Sequence, residues 1–193
     1  MSWLTGNLLT LNPNKTLYLT FALKASSQPN PDSFILKVHN CPVGASPLAC
    51  PCPHINRSEN IKYLGVQIDN QLTWTLHLKT LTARVRRLIS IMKRLRHSAP
   101  IETLKNVYYA LGQSILTYCI TAWGGAAKTY LLQLERAQRA VLKVMTLKPY
   151  KYPTAQLYTN YQILTVRQLF ILQTVLRKHS TLPFVANYTQ NRR

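Results

Sequence analysis

Apolar positions along this chain change period once, near residue 70. Before that point they alternate or gather in short runs. Thr16-Leu17-Tyr18-Leu19-Thr20-Phe21 alternates with period two, which predicts a half-buried strand. It follows Asn12-Pro13-Asn14, which is turn chemistry. Ala25 to Asp32 reads as a polar loop, and Phe34-Ile35-Leu36-Lys37-Val38 as a second strand. Cys41 to His54 holds four prolines, so an irregular loop or a broken hairpin is expected there. Ile61-Lys62-Tyr63-Leu64-Gly65-Val66-Gln67-Ile68 reads as a third strand, closed by the turn residues Asp69-Asn70.

After Leu72 the spacing is helical. Trp74, Leu78, Leu81, Val85, Leu88, Met92 and Leu95 form an unbroken seam of alternating four- and three-residue steps. Pro100 then opens a second helix running towards Trp123. That helix is apolar on most sides, which predicts a central, buried element stopped by Gly124-Gly125. A third helix is expected over about Lys128 to Leu147, with Leu131, Leu134, Val141 and Met145 facing inward. Pro149 and Pro153 punctuate the chain. The capping box Thr165-Val166-Arg167-Gln168 starts a fourth helix that continues to about Ser180. The expected fold class is α+β: a small β segment over residues 1–70, a four-helix region over 71–182, and a disordered tail over 183–193.

Charge adds a partner to this picture. The chain has 193 residues, 47% of them hydrophobic, enough for a folded core. It carries 24 Lys+Arg against 5 Asp+Glu, a formal net charge of +19. Self-repulsion of that size favours a polyanionic partner, with nucleic acid first and an anionic membrane surface second. The basic residues concentrate on the first helix, where Lys79, Arg84, Arg86, Arg87, Lys93 and Arg94 occur with no acid between Thr75 and His97. Lys79, Arg86 and Lys93 are seven apart and form one line, and Arg87 and Arg94 form the next, away from the apolar seam. A solvated helix face normally mixes signs. This one is suited to contacting a phosphate backbone without reading bases.

Other constellations are weaker. His39, Cys41, Cys50, Cys52 and His54 could supply zinc ligands, with Cys41, Cys50, Cys52 and His54 the principal candidates, although the spacings are unorthodox. Cys119 lies in the most apolar stretch, where a small buried hydrophobe is expected rather than a nucleophile. The uncharged run Asn106–Ala127 is long enough to cross a bilayer, but its polar residues favour a buried helix, and no membrane partner is expected. Met1 to Asn7 lacks the features of a secretory signal, so the thiols should be free.

Several of these residues fall in a familiar order. Ile61 to Asp69, followed by Leu72-Thr73-Trp74 and His77, resembles the segment just past the active site in reverse transcriptases of non-LTR retrotransposons, most of all the insect jockey-like group. Trp3, Asn7, Leu9-Thr10-Leu11-Asn12 and Lys15-Thr16 resemble that family's palm motif D. Tyr108-Tyr109-Ala110-Leu111, Leu116-Thr117-Tyr118-Cys119, Trp123 and Leu134-Glu135-Arg136-Ala137-Gln138-Arg139 are similar to its thumb helices. The resemblance implies that residues 1–70 are a remnant of palm and that the helices form a thumb. It also implies that Tyr63, Leu64 and Gly65 belong to a primer grip holding the growing 3′ end. Gly65, with no Cβ, would admit a close backbone there.

The same resemblance implies a missing catalytic centre. Polymerisation needs metal ions held by neighbouring carboxylates. The acids of this chain are Asp32, Glu59, Asp69, Glu102 and Glu135, and no two are adjacent. No catalytic residue is therefore expected here, and no cofactor. Magnesium would belong to the family's palm aspartates, which would precede Met1. Lys15 falls where the family's motif D lysine protonates pyrophosphate, and here it would have no chemistry to serve. The implied partners are RNA, DNA or an RNA–DNA hybrid, together with an upstream polymerase portion that the chain could complement. A helical protein-interaction module and an inert retroelement remnant remain as alternatives.

Overall fold

A computed structural model describes residues 6–30, 36–38 and 52–181. The chain divides into two compact units, Met1–His77 and Leu78–Arg193. The fold is α+β, with two small two-stranded sheets and a predominance of helix among the described residues.

In the first unit, a 3-10 turn at Pro13–Lys15 leads into β1, Leu17–Tyr18. β1 pairs in parallel with β2, Asn56–Arg57. The expected strand Thr16–Phe21 is thus shortened to two residues. Alternation supplies a face, but a strand extends only as far as a neighbour completes its ladder. The backbone turns away quickly, and Ala22 N–H reaches Asn70 O at 3.0 Å. Of the expected second strand, Phe34 and Ile35 lie outside the described residues. Lys37 makes an isolated antiparallel bridge to His54.

The third expected strand is instead a hairpin. β3, Asn60–Tyr63, runs antiparallel to β4, Val66–Asp69, with Tyr63 opposite Val66. Leu64 and Gly65 form the two-residue turn between them, at φ 46° and 85°. Positive φ at both positions matches the twist of the flanking strands, which is why such turns favour Asn-Gly. Leucine at the first position hid the turn within an apolar run. Gly65 is explained by this backbone demand. The buried residues of this unit, among those described, are Cys52, Val66 and His77, which make a thin core.

α1, Thr75–Leu95, begins at the boundary between the units and runs into the second. Leu78, Leu81, Val85, Leu88 and Met92 are buried, as their spacing predicts. The second expected helix is broken into pieces. α2 covers Ile101–Tyr108, a π-helical turn covers Tyr109–Gln113, and α3 covers Ser114–Thr117. The chain then bends at Tyr118 (ψ 116°) and Cys119 (φ 52°) before α4, Ile120–Trp123.

The sequence contains a reason for the π turn. Leu104, Tyr108, Gly112, Leu116 and Ile120 are buried at strict four-residue intervals. On a regular helix of 3.6 residues per turn, such a stripe drifts by about 40° per step. A wider turn takes up that drift and keeps the stripe inward. This helix is not buried all round, since Leu111 and Tyr118 are exposed. Cys119 is exposed too, in a left-handed conformation at the bend, and is not the buried hydrophobe expected. The Trp123 indole N–H donates to Tyr118 O across the bend at 3.0 Å.

α5, Lys128–Met145, buries Leu134, Ala137, Gln138, Val141, Leu142 and Met145, while Leu131 is only half-buried. α6, Thr154–Tyr161, was not anticipated; it buries Leu157 and Tyr158. α7, Val166–Thr181, starts at the expected capping box. Gln168 N–H donates to Thr165 Oγ1 at 3.2 Å, and Thr165 N–H to Gln168 Oε1 at 2.9 Å. α7 packs against α3, α4 and α5. The expected tail over 183–193 lies outside the described residues.

One buried amide joins four of these segments. Gln138 Nε2 donates to Tyr108 Oη at 2.8 Å and to Leu164 O at 2.8 Å. Tyr158 Oη donates to Gln138 Oε1 at 3.0 Å. Burial pushes the Tyr108 hydroxyl up to about 12, only partly offset by the Gln138 hydrogen bond. Burial raises Tyr158 as well.

Candidate nucleic-acid interface

The start of α1 is set by one carboxylate. Asp69 Oδ2 accepts from Thr73 N–H and Thr73 Oγ1, both at 2.8 Å, and Oδ1 accepts from Trp74 N–H at 2.9 Å. These bonds satisfy donors that the preceding strained loop, with Leu72 at φ 55° and Trp74 at φ 62°, would leave open. Burial alone would raise the Asp69 carboxyl, but the hydrogen bonds from Thr73 and Trp74 outweigh it and hold the group below its ordinary value. Asp69, one of the acids with no adjacent partner, is therefore a capping group. Beside it, His77 is buried, accepts from Gln67 N–H through Nδ1 at 3.4 Å, and meets Trp74 edge-on at 6.4 Å.

With its seam buried, α1 turns its cations outward. Lys79, Arg84, Arg86, Arg87, Lys93 and Arg94 are all exposed. Taking about 100° per residue, the Lys79–Arg86–Lys93 line and the Arg87–Arg94 line straddle the direction opposite the seam, and Arg84 lies on the flank beyond Arg87. Together they cover the whole polar arc rather than a single line. From Lys79 to Arg94 the arc is about 22 Å long. Arg94 leans along the helix, with Nε donating to Ser90 O at 3.4 Å. Among the described residues the recorded ion pair is Lys105–Glu102, on α2, so these cations are not neutralised by carboxylates there.

The other expected site residues are scattered. Tyr63 and Leu64 stand 62% and 72% exposed at the hairpin tip, with Gly65 beside them. Lys15 is exposed in its 3-10 turn. Of the zinc candidates, Cys52 is buried and His54 is exposed in the bridge to Lys37. Cys41, Cys50 and His39 lie outside the described residues. Among the described residues no group of three metal-ligating side chains converges, and no helix is long and apolar enough to cross a membrane.

A second cationic cluster was not picked out from the sequence. Arg136, Arg139 and Lys143 on α5 line a cleft of 360 Å³ with Ala140, Tyr150 and Thr154. Their i, i+3, i+7 spacing was a usable signal. It was masked by the stronger apolar periodicity of the same helix.

No protein-family model matches the chain, and no solved structure matches it. Over 189 residues, covering 94% of this chain, it is 26% identical to the "Probable RNA-directed DNA polymerase from transposon BS" of Drosophila melanogaster. The chain spans 19% of the length of that curated relative. A likeness running through nearly the whole chain, with the helical elements and the basic face already described, supports a relationship to the reverse transcriptases of transposons.

Proposed function

We propose that the chain binds nucleic acid through its phosphate backbone, as the thumb-like portion of a reverse transcriptase from a non-LTR, jockey-like element. The observation that carries this reading is the polar arc of α1: six exposed cations, no interspersed acid, and a rotation fixed by a buried seam. Such a surface lowers the free energy of a duplex by displacing its counterions, and it does so for any sequence. The hairpin tip at Tyr63, Leu64 and Gly65 fits the primer-grip role that the resemblance implies. The five acids of this chain include no adjacent pair, so the reading assigns it nucleic-acid binding and not polymerisation. RNA, DNA and hybrid duplexes are all candidate partners.

The test is a salt titration of duplex binding. Replacing Arg86, Arg87 and Arg94 with Gln removes three charges and keeps helix propensity. The slope of log K against log salt should flatten by up to roughly three units, about one per phosphate contact. A control replaces Lys105, Lys128 and Arg167, with equal loss of net charge. Equal weakening by both triples would mean that bulk charge alone matters and the α1 arc is not a site. One observation favours a second reading, a protein-interaction module: Ile171, Leu172, Val175 and Leu176 are exposed on α7. That reading gains if the wild-type chain binds no duplex.

A further inference from the structure

The loop Thr146–Pro153 joins α5 to α6 and contains Lys148-Pro149-Tyr150-Lys151-Tyr152-Pro153, in which two lysines alternate with two tyrosines. Its two tyrosines are treated differently. Tyr152 is half-buried, its hydroxyl accepts from Asn160 Nδ2 at 3.2 Å, and Lys148 stands over its ring at 5.1 Å. Tyr152 N–H also closes a turn onto Pro149 O at 3.0 Å. Tyr150 is 92% exposed. A large ring presented almost wholly to water, from a loop pinned on both sides of it, is not accounted for by packing.

Tyr150 lines the α5 cleft together with Arg136, Arg139 and Lys143. The cations are oriented by the protein itself. Lys143 Nζ donates to Tyr150 O and stands 5.3 Å over its ring, and Arg139 Nη1 donates to Thr154 Oγ1 at 3.2 Å. Each of these hydrogen bonds uses one donor of a group that has three or five, so most of the donating capacity remains for an anion. Arg136 is exposed, and no carboxylate lines the cleft.

We propose that this cleft is a second nucleic-acid site, specific for a single strand: Arg136, Arg139 and Lys143 take a phosphodiester, and Tyr150 stacks on the adjoining unpaired base. The proposal rests on the reading that the chain binds nucleic acid, and it adds a strand type and a place. A duplex keeps its bases stacked inside and offers none to an outlying ring, whereas a single strand offers one at each step. The division of labour follows, with the α1 arc for duplex backbone and the α5 cleft for single strand. A phosphate-bearing lipid headgroup could use the same three cations, but it would have no use for the ring.

The experiment compares the full chain with Tyr150→Ala and Tyr150→Trp, using fluorescence anisotropy on a labelled short oligothymidylate and a labelled hairpin duplex. Tyr150→Ala should weaken oligothymidylate binding roughly tenfold and leave duplex binding within about twofold. Tyr150→Trp should restore it. Arg86→Gln with Arg87→Gln and Arg94→Gln should show the reverse preference. Tyr150 is a surface side chain, so folding should be unaffected in either variant. The proposal is overturned if Tyr150→Ala leaves oligothymidylate binding unchanged, if it weakens duplex equally, or if it acts only on phosphatidylserine vesicles. A wild-type chain that binds duplex while Tyr150→Ala does nothing sinks this site alone. A wild-type chain that binds neither probe sinks the nucleic-acid reading with it.

Discussion

Replacing Gln138 with Met should cost the helical unit about 3 to 5 kcal/mol. The two side chains are similar in volume, so little cavity is created. What is lost is polar. The buried Tyr158 hydroxyl loses its acceptor, buried Tyr108 Oη loses a donor, and the part-buried Leu164 O loses a donor as well. A buried polar group left without its partner costs about 1–3 kcal/mol, so the two tyrosine hydroxyls, with a smaller loss at half-buried Leu164 O, give the stated range. Domains are stable by only about 5–15 kcal/mol in total. Urea unfolding followed by circular dichroism should show the midpoint falling by about 1 M or more, for a typical slope of 1–3 kcal/mol per M. The decisive step is Tyr158→Phe in both backgrounds. In the wild type it orphans Gln138 Oε1 and should destabilise by about 1 kcal/mol. In the Gln138→Met background it removes an already orphaned hydroxyl and should be neutral or stabilising. Equal costs in the two backgrounds, or a Gln138→Met cost below about 1 kcal/mol, would show that the network does not hold these helices together.

Gly124 has an ordinary helical φ of −66°, so it is there for space: an added Cβ would sit 2.7 Å from Phe170 Cγ and closer still to Cδ2. Gly124→Ala should therefore destabilise by about 1–3 kcal/mol in urea unfolding, while Gly125→Ala, with nothing within 4 Å, should stay within about 0.5 kcal/mol. Asp69 has a lowered folded-state value, so its contribution is present above the ordinary value of 3.8 and disappears as pH falls through the lower one. Asp69→Asn should weaken that acid dependence, read by amide exchange at Thr73 and Trp74. An unchanged profile would mean the carboxylate is not the cap. Primer extension by the isolated chain on a homopolymer template with Mg²⁺ or Mn²⁺ should yield no product above a buffer blank, because its sequence has no adjacent pair of carboxylates to hold the metals.

Much of the helical part was legible along the chain. The seam from Leu78 to Met92, the start of α7 at Thr165–Gln168, and the outward cations of α1 all follow from spacing within one element. Local period decides which face is apolar, and the opposite face is then exposed whatever packs below. Features that need two distant segments were not legible. Gln138 sits in a charged stretch, and only the meeting of α2, α5, α6 and the loop before α7 gives it three partners. Gly124 reads as a helix stop, yet its role is to admit a ring from α7. The run through Tyr63 and Val66 has strand composition throughout, and the turn at Leu64–Gly65 appears only when β3 finds β4. The α5 cleft likewise depends on a loop folding back over its own helix. Periodicity is a property of neighbours in sequence. Hydrogen-bond satisfaction and close packing are settled between groups far apart along the chain, and those interactions decided where this protein bends and where its second cationic cluster meets a cleft.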